Sequence, residues 1–156
     1  MKIVAIVQAR MGSTRLPGKV LKKIVGISAL EILLKRLTRS ELVSEICVAT
    51  SHNTENDLLC DVIEEIGYRV IRGSETDVLE RFWDAAEATS ADIVVRITGD
   101  CPVVDPKLVD QVIKMYLDAH VDYVSNIDPP SFPDGLDVEV FGRHSLEAAN
   151  LGAQSD

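Results

Sequence analysis

The sequence is poor in aromatic residues, cysteines and long apolar runs, and each shortage narrows the class of protein. Aromatic residues make up 4% of the 156 positions, and the three cysteines are Cys47, Cys60 and Cys101. Their odd number and wide spacing argue against a disulfide framework or a zinc site and predict reduced thiols. No apolar run approaches membrane-spanning length, and the N-terminus lacks a signal-peptide pattern. We therefore expect a cytoplasmic protein, with no membrane partner, that folds as one domain over residues 1–156.

Negative charge is missing from the first thirty residues. This segment carries six lysines and arginines and no acid, although the whole chain has a net charge of −9. A chain so acidic overall lacks the basic surface that nucleic-acid binding requires. The distribution of charge instead favours a small anion held in one local basic pocket.

The basic segment is centred on a loop over residues 8–19, which follows the apolar run Ile3-Val4-Ala5-Ile6-Val7. This run predicts a buried parallel strand, so the loop leaves the edge of the sheet at which open α/β folds bind ligands. Glycines allow tight turns and close approach to a ligand, hydroxyls and backbone N–H groups bind phosphate oxygens, and cations pair with them. The loop contains all three kinds of residue: Gly12, Gly18, Ser13, Thr14, Arg10, Arg15 and Lys19. A triphosphate suits it best, whereas a solvated basic loop without function is less favoured because no acid accompanies the three cations.

Two common phosphate-binding motifs are excluded by spacing. A P-loop has four residues between its first glycine and Gly-Lys, followed by Ser or Thr. Here five residues separate Gly12 from Gly18, and Val20 follows Lys19. The glycines are also too far apart for the dinucleotide-binding pattern G-x-G-x-x-G.

The rest of the chain alternates between predicted strands and helices. Strands are predicted at residues 46–49, 68–71, 93–97, 123–124 and 136–141, and the prolines of residues 127–135 predict a loop or lid. Helices are predicted to begin at the capping residues Ser28, Thr54, Asp77 and Asp105, with a final helix over residues 145–151. This alternation is typical of an α/β domain with a mainly parallel sheet.

Acidic side chains follow two of the predicted strands or lie in them. Asp100 follows the strand at residues 93–97 and could hold Mg²⁺, although a turn aspartate before Pro102 explains it equally well. Asp137 and Glu139 share one face of the last strand. They could line the pocket and contact sugar hydroxyls, but the solvated face of an edge strand is the favoured interpretation from the pattern alone.

Four segments, in order along almost the whole chain, resemble the sugar-acid cytidylyltransferases. The first is Arg10 with Ser13-Thr14-Arg15-Leu16-Pro17-Gly18-Lys19, which is similar to the signature loop of CMP-Kdo and CMP-sialic acid synthetases. The closest resemblance is to the branch like the spore-coat polysaccharide biosynthesis protein F. It rests also on Arg72-Gly73-Ser74-Glu75-Thr76-Asp77-Val78-Leu79-Glu80-Arg81, Arg96-Ile97-Thr98-Gly99-Asp100-Cys101-Pro102 and Phe132-Pro133-Asp134-Gly135-Leu136-Asp137-Val138-Glu139-Val140-Phe141.

The resemblance implies a three-layer, Rossmann-like nucleotide-diphospho-sugar transferase fold and a cytoplasmic homodimer. It implies transfer of CMP from CTP to a sugar acid or related sugar in surface polysaccharide biosynthesis, with Mg²⁺ on Asp100 and catalytic roles for Arg15 and Lys19. The implied nucleotide contacts are Ala9, Arg10, Gly12, Ser13, Thr14, Arg15, Lys19, Arg72, Ser74, Asp77 and Thr98.

Two departures from the family pattern qualify this expectation. Thr98 stands where CMP-Kdo synthetases usually have Gln, so the contacts to the base are expected to differ. Family members are also longer, and their second metal aspartate lies in a C-terminal part that this chain is expected to lack. Two alternatives therefore stay open: another nucleotidyltransferase for sugars that uses UTP or GTP, and a nucleotide-binding fragment without turnover.

Overall fold

A six-stranded, mostly parallel sheet forms the centre of the molecule. The computed structural model describes residues 1–153. The strands of the sheet are β1 (Ile3–Gln8), β4 (Glu45–Ser51), β5 (Arg69–Gly73), β6 (Ile93–Thr98), β7 (Tyr123–Ser125) and β8 (Glu139–Gly142). They lie in the order β5-β4-β1-β6-β8-β7, in which the first four strands are parallel and β8 is antiparallel to both of its neighbours. The predicted α/β fold with a mainly parallel sheet is confirmed.

Helices cover both faces of the sheet and complete three layers. One core joins the sheet to helices α1 (Ala29–Leu37), α2 (Asp57–Glu65) and α4 (Pro106–Ala119). A smaller core on the opposite face contains side chains of α3 (Val78–Thr89) and α5 (Arg143–Ala153). Successive side chains of a strand point to opposite faces, so Ala5 and Val7 enter the first core while Val4 and Ile6 enter the second. Both faces of β1 are therefore buried, which explains its continuous apolar sequence.

Three of the predicted helix caps are confirmed by their hydrogen bonds. The Ser28 hydroxyl accepts the backbone N–H of Glu31 at 3.2 Å, as in a capping box. Asp77 and Asp105 likewise cap α3 and α4 through their side chains. Each cap satisfies a backbone donor that the first turn of a helix leaves without an intrahelical partner.

The predicted start of α2 at Thr54 is wrong. The Asn53 side chain accepts the N–H of Glu55 at 3.1 Å and begins a short 3₁₀ turn, Thr54–Asn56, which precedes α2. Asn53 and Thr54 are both potential caps, and the 3₁₀ turn is capped by Asn53. Gly67, with φ of 88°, follows the end of the helix as predicted.

Two features of the sheet region differ from the sequence prediction. A small antiparallel hairpin, β2 (Lys23–Ile24) and β3 (Ile27–Ser28), was not predicted, because strands of two residues carry no periodic signal. The last strand begins at Glu139 rather than at residue 136, and it lies between β6 and β7. The interpretation of its polar face as a solvated edge is therefore wrong.

A buried carboxylate joins α4 to the loop between α1 and β4. Asp110 accepts the Ser40 hydroxyl at 2.5 Å and the backbone N–H groups of Glu41 and Leu42 at 3.0 and 3.2 Å. These contacts satisfy backbone donors in a segment without regular structure. Among residues 1–153, the helices include none that is long and apolar enough to cross a membrane.

Candidate functional site

The basic loop and Asp100 meet in a cavity at the C-terminal edge of β1 and β6. The cavity has a volume of about 250 Å³. It is lined mainly by polar and cationic side chains from the 8–19 loop and from the turn after β6: Gln8, Arg10, Ser13, Thr14, Arg15, Lys19, Val20, Thr98, Gly99 and Asp100. The sequence predicted most of this set, but Gln8, Val20 and Gly99 were not expected to line the site.

Close packing of two strand ends sets the position of Asp100. Gln8 is in register with Thr98, and the Gly99 N–H donates to the Gln8 carbonyl at 2.7 Å. A Cβ on Gly99 would lie 2.7 Å from that carbonyl oxygen and 2.8 Å from the Ala9 Cβ. Only glycine therefore allows the strands to approach this closely, and the approach brings the acidic turn to the basic loop.

The basic loop is held by hydrogen bonds of the Met11 backbone, two within the loop and one to a side chain outside it. The Met11 carbonyl accepts the N–H groups of Ser13 and Gly18, each at 2.9 Å, and the Met11 N–H donates to Asn56 Oδ1 at 2.9 Å. Gly18 has φ of 66°, a left-handed conformation that favours glycine. Gly12 is not among the glycines with a positive φ, and the nearest atoms that a Cβ there would meet belong to the carboxylate of Glu55, the far end of a flexible side chain.

Lys19 and Asp100 form an ion pair inside the cavity. The Lys19 ammonium donates a hydrogen bond to Asp100 Oδ2, and the two side chains are 29% and 40% exposed. Partial burial acts to raise the pKa of Asp100, but the hydrogen bond and charge of Lys19 outweigh it, and Arg15 adds to this effect. The resulting pKa lies below the ordinary value, so Asp100 is ionised at neutral pH.

Cys101, which is next to Asp100, feels the charges of further acidic residues. Burial raises the pKa of the Cys101 thiol, the hydrogen bond with Thr98 acts to lower it, and the charges of Asp100, Asp137 and Asp134 raise it. The Cys101 Sγ lies 3.0 Å from the Thr98 hydroxyl. Asp137, which was predicted to contact the acceptor, does not line the cavity.

Glu139 does not share this environment. It is buried, its Oε1 accepts Arg96 Nη1 at 2.5 Å, and its Oε2 accepts the Tyr123 hydroxyl at 2.8 Å. These groups belong to a second, mostly apolar cavity of about 390 Å³ between the sheet and helices α3 and α5. Glu139 was expected to contact the acceptor, and it could do so only if its hydrogen bonds with Arg96 and Tyr123 broke.

Arg72, Ser74 and Asp77 lie outside the cavity lining. The Arg72 guanidinium is bound to Asp57 at 2.7 Å and to the carbonyls of Ser51 and Asn53 at 3.1 and 2.9 Å. The Ser74 hydroxyl accepts the N–H of Asp77, whose own side chain caps α3. All three therefore have structural partners that fix the segments after β4 and β5.

Two other predicted contacts, Ala9 and Gly12, are not among the residues that line the cavity. Ala9 is buried, and its N–H donates to the Ala49 carbonyl at 3.1 Å. Arg10 does line the cavity, and its Nη1 lies 4.0 Å from Glu75 Oε1. This contact links the basic loop to the segment that follows β5.

The residues present fit a magnesium ion that arrives with phosphates. Within the described part of the chain, no group of three acidic, histidine or cysteine side chains could hold a metal. Asp100 offers one ionised, partly exposed carboxylate that already has a cation beside it. Mg²⁺ often uses one or two protein carboxylates and takes its other oxygens from water and substrate phosphates.

At this edge of the parallel sheet, a basic loop with glycines faces a single acid. This arrangement is typical of α/β proteins that bind phosphate-bearing nucleotides. The chain belongs to the cytidylyltransferase family, whose model matches residues 4–148.

Two curated relatives and one solved structure illustrate this membership. The chain is 41% identical to the spore coat polysaccharide biosynthesis protein SpsF of Bacillus subtilis, over 82% of this chain and 55% of that protein. It is 38% identical to the 3-deoxy-manno-octulosonate cytidylyltransferase of Trichlorobacter lovleyi, over 75% of this chain and 46% of that protein. It also matches the structure of a cytidylyltransferase from Leptospira borgpetersenii with a TM-score of 0.91 and 35% identity, over 96% of this chain and 64% of the other.

These findings confirm the predicted resemblance to the sugar-acid cytidylyltransferases and to the SpsF branch. The chain spans about half the length of the curated relatives it matches.

Proposed function

We propose that this chain binds CTP in the basic cavity and transfers its CMP group to a hydroxyl of a sugar acid or related sugar. The observation that carries the proposal is the meeting of Arg10, Arg15 and Lys19 with Asp100 in one cavity of about 250 Å³. The family membership and the names of the relatives support cytidine as the base and a sugar acid as the acceptor class. The SpsF relative supports a role in polysaccharide biosynthesis.

The reaction is an in-line displacement at the α-phosphorus of CTP. A hydroxyl oxygen of the acceptor forms the new bond to phosphorus, the bond to the bridging oxygen breaks, and pyrophosphate leaves with that electron pair. The hydroxyl proton passes to solvent. No covalent protein intermediate is required, so positioning and charge stabilisation supply the catalysis.

The chain's own residues would provide this stabilisation. The guanidinium of Arg15 binds phosphate oxygens in a fork geometry, and the ammonium of Lys19 acts as a point charge on the same group. Ser13 and Thr14 line the cavity and can donate further hydrogen bonds to these oxygens. Mg²⁺, held by Asp100, would neutralise phosphate charge when bound.

The acceptor is expected to reach the cavity from the side of Asp137, whose charge acts on the thiol of Cys101, the residue after Asp100. Its carboxylate could accept hydrogen bonds from sugar hydroxyls. We also propose that the protein acts in the cytoplasm as a homodimer, as the family resemblance implies. Sedimentation velocity would test the dimer.

Pyrophosphate release tests the proposed function. The purified chain is assayed with Mg²⁺, a panel of sugar acids and each of CTP, UTP, GTP and ATP. We expect release with CTP above the other three, and loss of release in Asp100→Asn. Release with another nucleotide alone would assign a different nucleotidyltransferase activity, and CTP binding without release under any acceptor would assign a binding module.

A further inference from the structure

Lys19 and Asp100 form an ion pair with each other, although the proposed function gives each of them a different partner. During the reaction Lys19 contacts phosphate and Asp100 holds the metal. In the structure each is bound to the other inside the cavity. While this pair is closed, the charge of Lys19 opposes a metal at Asp100, and the charge of Asp100 opposes a phosphate at Lys19.

The two cations compete for the same carboxylate. The Lys19 ammonium donates to Oδ2 of Asp100, which leaves Oδ1 as the other oxygen that a divalent cation could bind. At either oxygen the metal would lie close to the lysine charge, and two charges of one sign a few ångströms apart in a partly buried cavity repel strongly because they are weakly screened.

The fold fixes Asp100 and leaves the lysine side chain free to move. Asp100 follows Gly99, which is locked between the ends of β1 and β6 by close backbone contacts. Lys19 begins a 3₁₀ turn that is anchored by the buried side chain of Val20. Four rotatable bonds separate its ammonium from this anchored backbone, so the charge can change partner without movement of the loop.

We propose that Lys19 is a placeholder cation, which holds Asp100 in the free protein and moves to the phosphates when a metal–nucleotide complex enters. This inference rests on the proposed function of the cavity. The exchange conserves favourable pairing, since one ion pair is replaced by a metal–carboxylate contact and an ammonium–phosphate contact. The metal without nucleotide offers Lys19 no new partner, so binding of the metal alone is suppressed.

Titration with Mn²⁺ in the absence of nucleotide tests the proposal. Electron paramagnetic resonance measures the free hexaaqua ion and therefore the bound fraction. Five proteins are compared: the unaltered chain, Lys19→Met, Lys22→Met, Asp100→Asn and the double variant Lys19→Met/Asp100→Asn. Lys22 is an exposed lysine on the same segment that does not line the cavity, and its replacement also removes one positive charge without opening the pair.

Lys19→Met is expected to bind Mn²⁺ about tenfold more tightly than the unaltered chain, as loss of a charged hydrogen bond at a competing site would allow. Lys22→Met should match the unaltered chain within about twofold, because exposed charges at a distance are screened. The added affinity of Lys19→Met should vanish when Asp100→Asn is introduced as well. Equal Mn²⁺ affinity in Lys19→Met and Lys22→Met would overturn the proposal.

Folding and the nature of the ligand are controlled separately. Thermal melting confirms that each variant is folded, and Lys19→Gln replaces Lys19→Met if the latter is not. The Mn²⁺ titration contains no nucleotide, so it does not depend on whether CTP is the substrate. A calorimetric titration of the unaltered chain with CTP tests that point, and its failure would refute the proposed function without changing the metal result.

Discussion

Replacement of Gly99 by alanine tests the packing that brings Asp100 to the basic loop. The new Cβ would lie 2.7 Å from the Gln8 carbonyl oxygen and 2.8 Å from the Ala9 Cβ. Ordinary contacts of this kind begin near 3.4 Å, so the strand ends must separate by about 0.6 Å. Both neighbours are main-chain or Cβ atoms and cannot rotate away.

We expect Gly99→Ala to cost about 1–3 kcal/mol of stability, the usual range for overpacking a well-packed site. A fall of about 3–10 °C in Tm follows for a chain of this size. Separation of the strand ends also moves Asp100 away from Lys19, so CTP–Mg²⁺ binding should weaken with stability. Differential scanning calorimetry and isothermal titration with CTP measure the two effects.

Gly152→Ala is a matched control for this experiment. Gly152 lies in α5, and a Cβ there would meet no atom within 4 Å. The same chemical change should therefore stabilise the helix by about 0.5–1 kcal/mol and leave CTP binding unaltered. A Gly99→Ala variant that melts and binds CTP like Gly152→Ala would refute the account of how the cavity is positioned.

Three further results are expected. Arg15→Ala should weaken CTP binding about tenfold in a calorimetric titration with little change in Tm, while Arg39→Ala, at another exposed arginine, should leave the affinity unchanged. Asp110→Ala should lower the free energy of unfolding, measured in urea, by about 2–4 kcal/mol, because it removes three hydrogen bonds and leaves backbone donors unsatisfied. Its control is Asp118→Ala, at an exposed position of the same helix, which should change the free energy of unfolding by less than about 0.5 kcal/mol. Burial raises the pKa of Cys47 to about 12, so mass spectrometry should find its thiol unmodified by iodoacetamide at pH 8 until urea unfolds the chain; rapid labelling of the native protein would contradict its burial.

Local chemistry was sufficient to predict most elements of the fold. Ser28, Asp77 and Asp105 each act through a hydrogen bond to a residue two or three positions away, so their roles could be predicted from the sequence. The basic loop could be placed at the ligand-binding edge because it directly follows an apolar strand. Thr54 was assigned wrongly because Asn53, one position earlier, offers a competing cap.

Contacts between distant segments could not be predicted in the same way. Glu139 seemed to lie on a solvated face, but its partner Arg96 is 43 residues away and is reached only because β8 inserts beside β6. The ion pair of Lys19 with Asp100 spans 81 residues. The sequence placed both residues near the ligand, yet their mutual contact depends on which strands are neighbours.

The central position of β1 has a consequence for the order in which the protein matures during synthesis. Among the strands of this sheet β1 is made before the others, but its two neighbours are β4 and β6, and the latter ends at Thr98. At about 5–20 residues per second, a ribosome needs several seconds to supply both partners. Until then, the apolar Ile3–Val7 segment has an unpaired edge that other chains could join. The nascent chain therefore carries this open edge before the basic cavity exists, and a ligand of the cavity cannot assist folding until β6 has docked.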